Sequence, residues 1–382
     1  MGPVKLLILQ GTTKCNLNCS YCYIKQSARK TGATMSLETV ATVFNRLVAS
    51  DLIGKELECI WHSGEPLVLP VSYYRDAVAR IEQILENAGS KCRVRFGFQT
   101  NATLINDQWT EFWNDLAKRD RLHLGVSCDG PPSFHDEYRR NWGGRGSHAA
   151  TLRGLRLINR AGISCDLIVV LGKPALKDPD GLYDFLHDHR ALFDQVRFNL
   201  PDDFDVRGTL DSVTATKLYG PFLKRWIERI DIDGSEAIIP RNFTEFYARL
   251  RRFGNDIHPI GIRAFEAINV DSNGDISTFH AGLTGDQHAD LYGDHKGLII
   301  GNIAEDNFDA MKTSSKFSNI QRDFVAGENA CHQRCGLYSV CPSGYALVKH
   351  RRYGRFDADE TPECRVQVQT LAEHLLSAIE QD

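Results

Sequence analysis

The stretch Thr12-Thr-Lys-Cys15-Asn-Leu-Asn-Cys19-Ser-Tyr-Cys22-Tyr23 decides how the chain is interpreted, because it places three cysteines on one short loop after an apolar run. Iron-sulfur clusters are usually held by four Cys thiolates. Three thiolates spaced C-x3-C-x2-C therefore leave one iron of a [4Fe-4S] cluster without a protein ligand. The alternative is a zinc knuckle, but zinc sites usually gather four protein ligands in C-x2-C pairs. The spacing favours a cluster with one coordination position left for a small molecule.

The composition indicates a large globular protein without nucleic-acid or membrane partners. The 382 residues can bury substantial cores in one large domain or two medium ones. A net charge of -4 supplies no global basic field for nucleic acid, and no segment approaches the ~20 apolar residues of a membrane span. Eleven cysteines without an export signal indicate metal ligands in a reducing cytoplasm rather than a disulfide framework.

Short apolar strands alternate with amphipathic helices as far as residue 200, which is the rhythm of a parallel sheet covered by helices. The predicted strands are 5–10, 57–62, 93–100, 122–127, 166–171 and 195–200. The predicted helices between them are 36–50, 71–87, 107–118, 147–161 and 180–192. Six βα units are too few for a complete eight-stranded barrel. In such barrels the active groups lie at the carboxyl ends of the strands, where the βα loops meet.

The three-cysteine loop resembles that of the radical S-adenosylmethionine (SAM) enzymes, and Tyr21 stands where that family has an aromatic residue before its third cysteine. The resemblance implies a [4Fe-4S] cluster on Cys15, Cys19 and Cys22, whose fourth iron is chelated by the amino and carboxylate groups of SAM. It also implies an α/β fold, the partial (β/α)6 TIM barrel of the radical SAM type, which six strands would build.

The segment Gly64-Glu65-Pro66, after the second predicted strand, resembles the family's Gly-Glu-Pro motif, which orders the SAM amino group. Glycine lets backbone approach a ligand closely, and the carbonyls and the Glu65 carboxylate can accept from an ammonium. By itself the tripeptide would be an ordinary turn. Its place after a strand that follows the three-cysteine loop favours the SAM-binding interpretation.

Polar segments after the third and fourth strands are similar to the family's strand-end segments that line the SAM pocket. Gln99 belongs to the first of these segments, and Ser127, in the second, fits a hydrogen bond to the ribose hydroxyls. Arg139 takes the position expected to reach the SAM carboxylate, since a guanidinium fork suits a carboxylate. The alternative for Arg139 is a surface residue at the start of a helix, and Asp129 is expected to cap a turn.

A second group, Cys331, Cys335, Cys341 and Cys364, has the spacing C-x3-C-x5-C-x22-C. On spacing alone this group could hold structural zinc or an Fe-S cluster. The radical SAM resemblance upstream favours a [4Fe-4S] cluster, because the segment looks like the C-terminal SPASM extension of peptide-modifying members. A cluster with four thiolates is expected to transfer electrons and to stabilise its domain rather than to bind substrate.

The SPASM resemblance is partial. A full extension has seven cysteines and two auxiliary clusters, whereas no cysteine lies here between Cys165 and Cys331. Phe279 stands where a hairpin cysteine of the first auxiliary cluster is expected, and Tyr345 stands where a later ligand of that cluster is expected. The resemblance therefore implies one auxiliary cluster, on the four later cysteines.

The remaining polar and cysteine features are expected to have no role in the chemistry. Cys59, Cys92, Cys128 and Cys165 lie on or beside strands without mutual ligand spacing, so we expect core or incidental thiols. The run 349–352, Lys-His-Arg-Arg, is expected to be a solvated face. Its alternative role is to bind an acidic stretch of a peptide.

Three parts are predicted along the chain. Residues 1–213 form the radical SAM partial barrel, and 214–258 form a helical bridge with helices 214–229 and 241–253. Residues 259–382 form a SPASM-like domain with one auxiliary cluster. This domain opens with a hairpin in which Asn273-Gly274 specifies a tight turn.

Five short segments look like those of the cyclophane-forming peptide maturases, including the maturases of glycine-rich-repeat precursors. The segments are 99–104, 276–279, 301–303, 340–343 and 361–365. The resemblance implies a C-C crosslink between an aromatic side chain and the Cβ of a nearby residue, formed through a 5'-deoxyadenosyl radical. The implied partners are a precursor peptide and a small electron donor such as flavodoxin or ferredoxin.

Restoring the aromatic ring after such a crosslink requires a base for one proton. Asp202 and Asp203, just after the sixth predicted strand, are the candidates, and His280 is a weaker one. Geometry has to decide between them before pKa does. Their alternative role is that of a solvated turn.

Other functions remain open. Another peptide maturase could form a thioether, an ether link or an epimer, and no residue here excludes it. A sulfatase-type maturase would share the barrel, but that resemblance demands seven C-terminal cysteines. A non-catalytic Fe-S peptide-binding protein is disfavoured by the intact three-cysteine loop. Since the barrel begins by Lys5, we expect a leader peptide to bind the barrel, the bridge or another protein rather than a preceding winged helix.

Overall fold

The computed structural model describes residues 3–201, 210–252, 264–278, 290–341 and 346–380. Within these ranges the strands form a single sheet with the order β6-β5-β4-β3-β2-β1-β7-β8-β9. The strands are β1 (Leu6–Leu9), β2 (Glu56–Trp61), β3 (Arg93–Thr100), β4 (Leu122–Ser127), β5 (Asp166–Val170), β6 (Gln195–Asn199), β7 (Ala267–Val270), β8 (Asp275–Thr278) and β9 (Gly301–Asn302).

The helices that cover the barrel sheet lie mostly between its strands. They are α1 (Gln26–Thr31), α2 (Leu37–Val48), α3 (Val71–Asn87), α4 (Asp107–Ala117), α5 (Pro132–Tyr138), α6 (His148–Arg160), α7 (Lys173–Lys177) and α8 (Pro179–Asp188). The later helices are α9 (Ser212–Asp233), α10 (Arg241–Arg251), α11 (Phe308–Thr313), α12 (Ser315–Arg334), α13 (Ala346–Tyr353), α14 (Pro362–Cys364) and α15 (Leu371–Ile379). No helix in the described ranges is both long and apolar enough to cross a lipid bilayer.

The first six strands run parallel, and each pairs with its neighbour in chain order. This arrangement confirms the predicted (β/α)6 partial barrel. Parallel neighbours need a crossover connection, and the helices supply it. The three short helices α1, α5 and α7 were not predicted, because five to seven residues are too few to show a helical period.

Side chains alternate along β3 between an apolar face that packs against the helices and a face that points into the barrel. Val94, Phe96 and Phe98 are buried on one face, and Phe98 packs against Trp113 of α4 with ring centroids 5.7 Å apart. Because successive side chains of a strand point to opposite faces, Gln99 lies on the interior face. The same alternation that fixes the core therefore delivers Gln99 to the interior of the barrel.

The predicted hairpin is present, with Gly274 at φ +87° between β7 and β8. The left-handed region is one that glycine enters without strain. β7 also pairs in parallel with β1, opposite Leu6 to Leu9. The hairpin therefore extends the barrel sheet beyond its first strand, a long-range pairing that local alternation does not encode.

Candidate active site

A cavity of about 360 Å³ lies at the carboxyl ends of the barrel strands. The predicted site residues of the barrel that line it are Cys15, Cys19, Tyr21, Cys22, Gly64, Glu65, Gln99, Ser127 and Arg139. Pro66 does not line it. Pro66 is buried, and its carbonyl accepts a hydrogen bond of 2.7 Å from the Tyr74 hydroxyl, so it anchors the turn to α3.

The three-cysteine loop is held from one side by the last residue of α5 and the segment that follows it. The Ser20 N–H donates to the Tyr138 carbonyl at 3.0 Å, and the Trp142 Nε1–H donates to the Cys15 carbonyl at 2.8 Å. The loop backbone thus finds its hydrogen-bond partners in a distant part of the chain, as backbone groups away from water must. The positions of the thiols are set by the barrel rather than by the loop alone.

Gly64 holds the loop from the other side. Its φ is +57°, and a Cβ there would lie 2.4 Å from the Lys14 carbonyl oxygen. The neighbouring Glu65 N–H donates to that same oxygen at 2.8 Å. Only glycine combines this conformation with this approach, so Gly64 brings the turn against the residue that precedes Cys15.

The Glu65 carboxylate is buried and bonded to protein donors. Oε1 accepts from the Thr100 hydroxyl at 2.7 Å and from the Leu67 N–H at 3.1 Å, and Oε2 accepts from the Asn101 N–H at 2.7 Å. Burial raises the pKa of Glu65, and these donors oppose that rise. Glu65 therefore joins the turn after β2 to the end of β3. Its role as an acceptor for an ammonium stays a prediction.

A chain of hydrogen bonds crosses the floor of the cavity. Arg139 Nη1 donates to the Tyr21 hydroxyl at 2.5 Å, Tyr21 donates to Asp129 Oδ2 at 2.7 Å, and Asp129 Oδ1 accepts from the Val170 N–H at 3.0 Å. Burial raises the pKa values of Tyr21 and Asp129. Asp129, expected from the sequence to cap a turn, ties the three-cysteine loop to β5.

Arg139 is buried at 6% exposure, so the surface alternative is wrong. Burial opposes its charge, but Tyr21, Cys19 and Asp129 raise the pKa of Arg139 well above its usual value. Among the described residues its Nε–H has no hydrogen-bond partner. A buried donor without an acceptor is costly, so the cavity offers a cation and a free donor that suit an anionic ligand.

His135 supports this floor and was not singled out from the sequence. Its Nδ1 accepts from the Asp129 N–H at 3.2 Å, and its Nε2 lies 3.0 Å from the Ser147 hydroxyl, which itself donates to the Arg139 carbonyl at 2.8 Å. Burial lowers the pKa of His135 to about 2. The imidazole is therefore neutral with its proton on Nε2, a tautomer that the network assigns.

Two thiols of the loop, Cys15 and Cys19, have raised pKa values. Burial raises the pKa of Cys15 to about 12, with a further rise from the charge of Glu65. Burial also raises the pKa of Cys19, and the charge of Arg139 opposes that rise. Because ligating cysteines are thiolates, metal binding at this loop must displace protons.

The four later cysteines come together although they lie on separate elements. Cys331 is in α12, Cys335 ends that helix, and Cys364 ends α14. Burial raises the pKa of Cys341 to about 12, and the charges of Cys364, Cys331 and Cys335 also act to raise it. The charge of Arg249 opposes this rise. Each of the other three thiols is thus close enough to Cys341 to act on it electrostatically.

Neither cysteine group is arranged around a single point. In the described part of the chain, no three His, Cys, Asp or Glu side chains converge as ligands of one metal ion. Zinc would draw its sulfurs to about 2.3 Å from one centre, whereas a cluster distributes its thiolates over several iron atoms.

The expectation of a solvated face for 349–352 is wrong for Lys349 and His350, which are 3% and 7% exposed, and is confirmed for Arg351, which is exposed. Lys349 Nζ donates to the Gly327 carbonyl at 2.9 Å and lies 3.1 Å from Cys331 Sγ. Arg352 Nε donates to buried Glu363 at 2.8 Å. The sequence signal was the position of the run between Cys341 and Cys364, inside the spacing of the second cysteine group.

Helix α13 lies between the two cysteine groups. Its Val348 and Arg351 line the cavity that contains the three-cysteine loop. Val348 and Lys349 also line a second cavity of about 50 Å³, which is bordered by Cys331 and Cys364. One short helix therefore borders the cavity of the first group and contacts the second group through Lys349.

Several predicted residues lie outside the described ranges, namely Asp202, Asp203, Phe279, His280 and Tyr345. Asn199, Leu200 and Pro201, which immediately precede the two aspartates, do line the cavity. Among the other thiols, Cys59, Cys128 and Cys165 are buried and Cys92 is half-buried, as expected of core cysteines.

Comparison with known proteins agrees with this geometry. Residues 9–186 match the model of the radical SAM superfamily. An uncharacterized protein of Synechocystis sp. is 32% identical over 388 aligned positions, covering 100% of this chain and 93% of that protein. The chain belongs to the radical SAM superfamily. A cysteine-type anaerobic sulfatase-maturating enzyme of Clostridium novyi is 24% identical, covering 90% of this chain and 88% of the relative.

Solved structures of this superfamily share the fold. Native anSMEcpe with bound AdoMet and Cp18Cys peptide has a TM-score of 0.77 at 16% identity, covering 99% of this chain and 98% of that one. Streptococcus suis SuiB bound to its precursor peptide SuiA has a TM-score of 0.60 at 16% identity, covering 95% of this chain and 76% of that one. Both likenesses extend through the C-terminal part of the chain.

Radical SAM enzymes use a [4Fe-4S] cluster together with SAM, and this radical SAM site suits both. Three thiols on one loop border a cavity in which Arg139 offers a buried donor without an acceptor among the described residues. Gly64 keeps the loop pressed against the turn after β2. The residues present therefore fit a cluster with one open iron and an anionic ligand beside it.

Proposed function

We propose that this radical SAM enzyme matures a ribosomally synthesised precursor peptide by forming a C-C crosslink, a cyclophane, between an aromatic side chain and the Cβ of a nearby residue. The observation that carries the proposal is the position of α13, which lines the three-cysteine cavity with Val348 and Arg351 and contacts Cys331 through Lys349. A crosslink that removes hydrogen and then an electron needs a radical site and an electron acceptor close together. The peptide complexes of anSMEcpe and SuiB support a peptide substrate.

Within the cavity, Cys15, Cys19 and Cys22 would hold the first cluster. When bound, that cluster and SAM supply a 5'-deoxyadenosyl radical, which can take a hydrogen atom from a peptide Cβ. Arg139 would bind the SAM carboxylate in a charge-assisted hydrogen bond through its Nε–H, which has no partner among the described residues. The Tyr21 and Asp129 side chains would hold that guanidinium in place.

The remaining contacts to SAM follow from the same wall of the cavity. Ser127 would bond to the ribose hydroxyls. Gln99 orients the Ser127 hydroxyl, because Gln99 Nε2 donates to Ser127 Oγ at 3.2 Å. Gly64 and Glu65 would order the amino group through the backbone of their turn. These roles make the carboxyl ends of β2, β3 and β4 the SAM-binding wall.

Closing the crosslink releases one proton and one electron from the substrate. We assign the electron to a second cluster held by Cys331, Cys335, Cys341 and Cys364, and the proton to Asp202 or Asp203, with His280 as the weaker candidate. Asn199 to Pro201 line the cavity just before the two aspartates, which supports this assignment. A flavodoxin or ferredoxin in a reducing cytoplasm would supply the starting electron.

We keep the three-part division of the chain as part of the proposal. The barrel, 1–213, would bind SAM, the bridge, 214–258, would connect the two cysteine sites, and 259–382 would hold the second cluster. A leader peptide would bind the barrel, the bridge or another protein. The full-length variant with Cys341→Ala and Cys364→Ala tests the division, since the proposal expects it to lose only the second cluster's iron.

A sulfatase-type activity is the second candidate, and the similarity to the Clostridium novyi sulfatase-maturating enzyme favours it. Against it stands the cysteine count, since the sulfatase-type resemblance demands seven C-terminal cysteines and this chain has four. The two candidates differ in the residues they modify, and mass spectrometry distinguishes them.

The test is co-expression of the enzyme with each short reading frame found beside its gene, followed by tandem mass spectrometry of the encoded peptide. The proposal predicts a loss of two hydrogens per crosslink and no fragmentation between the aromatic residue and its partner. The Cys15→Ala enzyme serves as the control and leaves the peptide unchanged. A change confined to a Ser or Cys of a sulfatase-derived peptide would support the sulfatase-type alternative. An unchanged mass in H2O with deuterium gained in D2O would instead show epimerisation.

A further inference from the structure

A lysine is buried against the second cysteine group. Lys349 is 3% exposed, and its Nζ lies 2.9 Å from the Gly327 carbonyl oxygen and 3.1 Å from Cys331 Sγ. Gly327 itself permits the arrangement, because a Cβ there would lie 2.3 Å from the Phe356 carbonyl oxygen. The ammonium thus reaches from α13 to α12 through a tightly packed contact.

Burying an ammonium is costly unless it is paired and hydrogen-bonded. The carbonyl of Gly327 satisfies one of its N–H groups, and a sulfur bound to iron would be an anionic acceptor for another. A second side-chain donor near a thiol of this group is an amide, with Gln369 Nε2 3.9 Å from Cys364 Sγ. Lys349 therefore places a full positive charge closest to one particular thiol, Cys331.

We propose that Lys349 raises the reduction potential of the C-terminal cluster through its hydrogen bond to Cys331, which suits this cluster to accept the electron released by the substrate. This inference rests on the proposed function. Hydrogen bonds to the sulfurs and net charge are among the factors that set such potentials. A [4Fe-4S] cluster with four thiolates goes from a net charge of 2− to 3− when it takes up one electron. A nearby ammonium stabilises the 3− state more than the 2− state.

One electron and one proton leave the substrate in the last step of the proposed reaction. The crosslinked, ring-centred radical of the peptide is oxidised by one electron and loses one proton to a base, which restores the aromatic ring. The oxidised C-terminal cluster takes up that electron and is reduced by one. Val348 and Arg351, on either side of Lys349 along α13, line the cavity where the substrate would lie, so one helix borders both the cavity and the proposed acceptor.

The test uses the full chain with Cys15→Ala, Cys19→Ala and Cys22→Ala, so that the C-terminal cluster gives the only cluster signal. Lys349→Met, Lys349→Gln and Lys349→Arg are compared in this background after anaerobic reconstitution. Iron is counted, and the reduction potential is measured by a redox titration followed by electron paramagnetic resonance. Arg334→Met is the matched control. Arg334, at the end of α12, is another cation beside the cysteines, but its side chain is 71% exposed.

The inference predicts about four iron atoms per chain in every variant. It predicts an equilibrium constant for one-electron reduction that falls at least tenfold in Lys349→Met and Lys349→Gln, a shift of about 59 mV to more negative potential. Lys349→Arg keeps the charge and recovers most of the shift. Arg334→Met changes the constant less than threefold, since solvent screens its charge.

Three outcomes would overturn the inference in different ways. Full iron with an unchanged potential in both Lys349→Met and Lys349→Gln would remove the role of Lys349 and leave the proposed cluster standing. No iron in the triple-alanine background itself would remove the cluster and the inference together. Loss of iron in Lys349→Met and Lys349→Gln but not in Lys349→Arg would show that the ammonium holds the cluster and does not tune it.

Discussion

The three-cysteine loop, 15–22, and the four-cysteine segment, 331–364, present their thiols in different ways. The loop carries its cysteines on one short stretch of chain. Hydrogen bonds to distant backbone groups and the close approach of Gly64 hold it at the rim of a cavity of about 360 Å³. The segment brings its cysteines from two helices and a loop, around a buried lysine and beside a cavity of only about 50 Å³. A compact loop leaves one side of a cluster free for a ligand, whereas dispersed ligands surround it.

The surroundings of the two groups differ as well. The loop faces a wall of polar groups with an Arg139 donor that has no acceptor among the described residues, as a site for SAM requires. The segment offers no such wall in the described ranges, and the ammonium beside it is directed at a sulfur. The first site is suited to start a radical reaction, and the second is suited to exchange electrons. Substitutions in one group or the other separate these two roles.

The largest effect is expected from Cys15→Ala. Removing one of only three thiolates should abolish formation of 5'-deoxyadenosine from SAM and dithionite, while the second cluster keeps about four iron atoms. Cys92→Ala is the control, because Cys92 is half-buried and belongs to neither group. Deoxyadenosine formation by Cys15→Ala at a rate near wild type would contradict the assignment of the loop.

The reverse separation is expected when the second group is removed. Cys341→Ala combined with Cys364→Ala should eliminate peptide crosslinking but leave SAM cleavage within about threefold of wild type. The physical reason is that the SAM cavity keeps all its thiolates while the proposed electron acceptor is lost. Iron per chain and crosslinked peptide are measured together, with Cys165→Ala as the control. Normal crosslinking after loss of the second cluster's iron would count against this role.

A smaller effect, about 10- to 100-fold in SAM affinity, is expected from Gly64→Ala. The new Cβ would lie 2.4 Å from the Lys14 carbonyl oxygen and would displace the three-cysteine loop. Gly89→Ala is a matched control, since Gly89 has a similar φ of +62° but no atoms within 4 Å of a Cβ. Both variants should lose about 1–2 kcal/mol of stability from the left-handed backbone. Equal SAM affinity in the two would refute the close-approach argument.

Tyr21→Phe should weaken SAM binding about tenfold, equivalent to about 1.4 kcal/mol. The hydroxyl joins Arg139 to Asp129, and its loss leaves a buried cation and a buried carboxyl without their shared partner. Tyr73→Phe is the control, because the Tyr73 hydroxyl is buried without a hydrogen-bond partner among the described residues. SAM dissociation constants are measured by isothermal titration, and a weakening equal to that of the control would contradict the role of Tyr21.

The smallest effect on chemistry is expected from His123, which lies inside the barrel away from the cavity. Asp166, followed by Glu58, raises the pKa of His123 to about 9. Since the folded pKa lies above the unfolded value near 6.5, the stabilisation is complete below about pH 6.5 and is lost as the pH rises through 9. Urea unfolding should therefore show wild type losing more stability between pH 7 and 9.5 than His123→Gln. Parallel pH profiles would contradict this assignment.

Much of the barrel could be predicted from local sequence. The alternation of buried and other side chains around Phe96 and Phe98 predicts the bounds of β3. The spacing of the three cysteines is by itself enough to locate the site. Contacts between distant elements could not be predicted in this way. The pairing of β7 with β1, the engagement of Glu65 by Thr100 and Asn101 and the neutral His135 all depend on tertiary neighbours.

Lys349 shows most clearly where sequence patterns fail. A run of cations is usually solvated because burying charge is costly. Here the helix that carries the run packs between two cysteine groups, and Cys331 and the Gly327 carbonyl give the ammonium its partners. The charge run looked ordinary because its partners lie 18 and 22 positions earlier in the chain.

The most direct test is whether SAM binds one cluster and not the other. Electron paramagnetic resonance spectra of the reduced protein are recorded with and without SAM in two variants. One variant lacks Cys15, Cys19 and Cys22, and the other lacks Cys341 and Cys364, with alanine at each position. The open-site account predicts that SAM changes the cluster signal only in the variant that keeps the three-cysteine loop. A SAM-dependent change in the variant that lacks this loop, or no change in the variant that keeps it, would contradict the account.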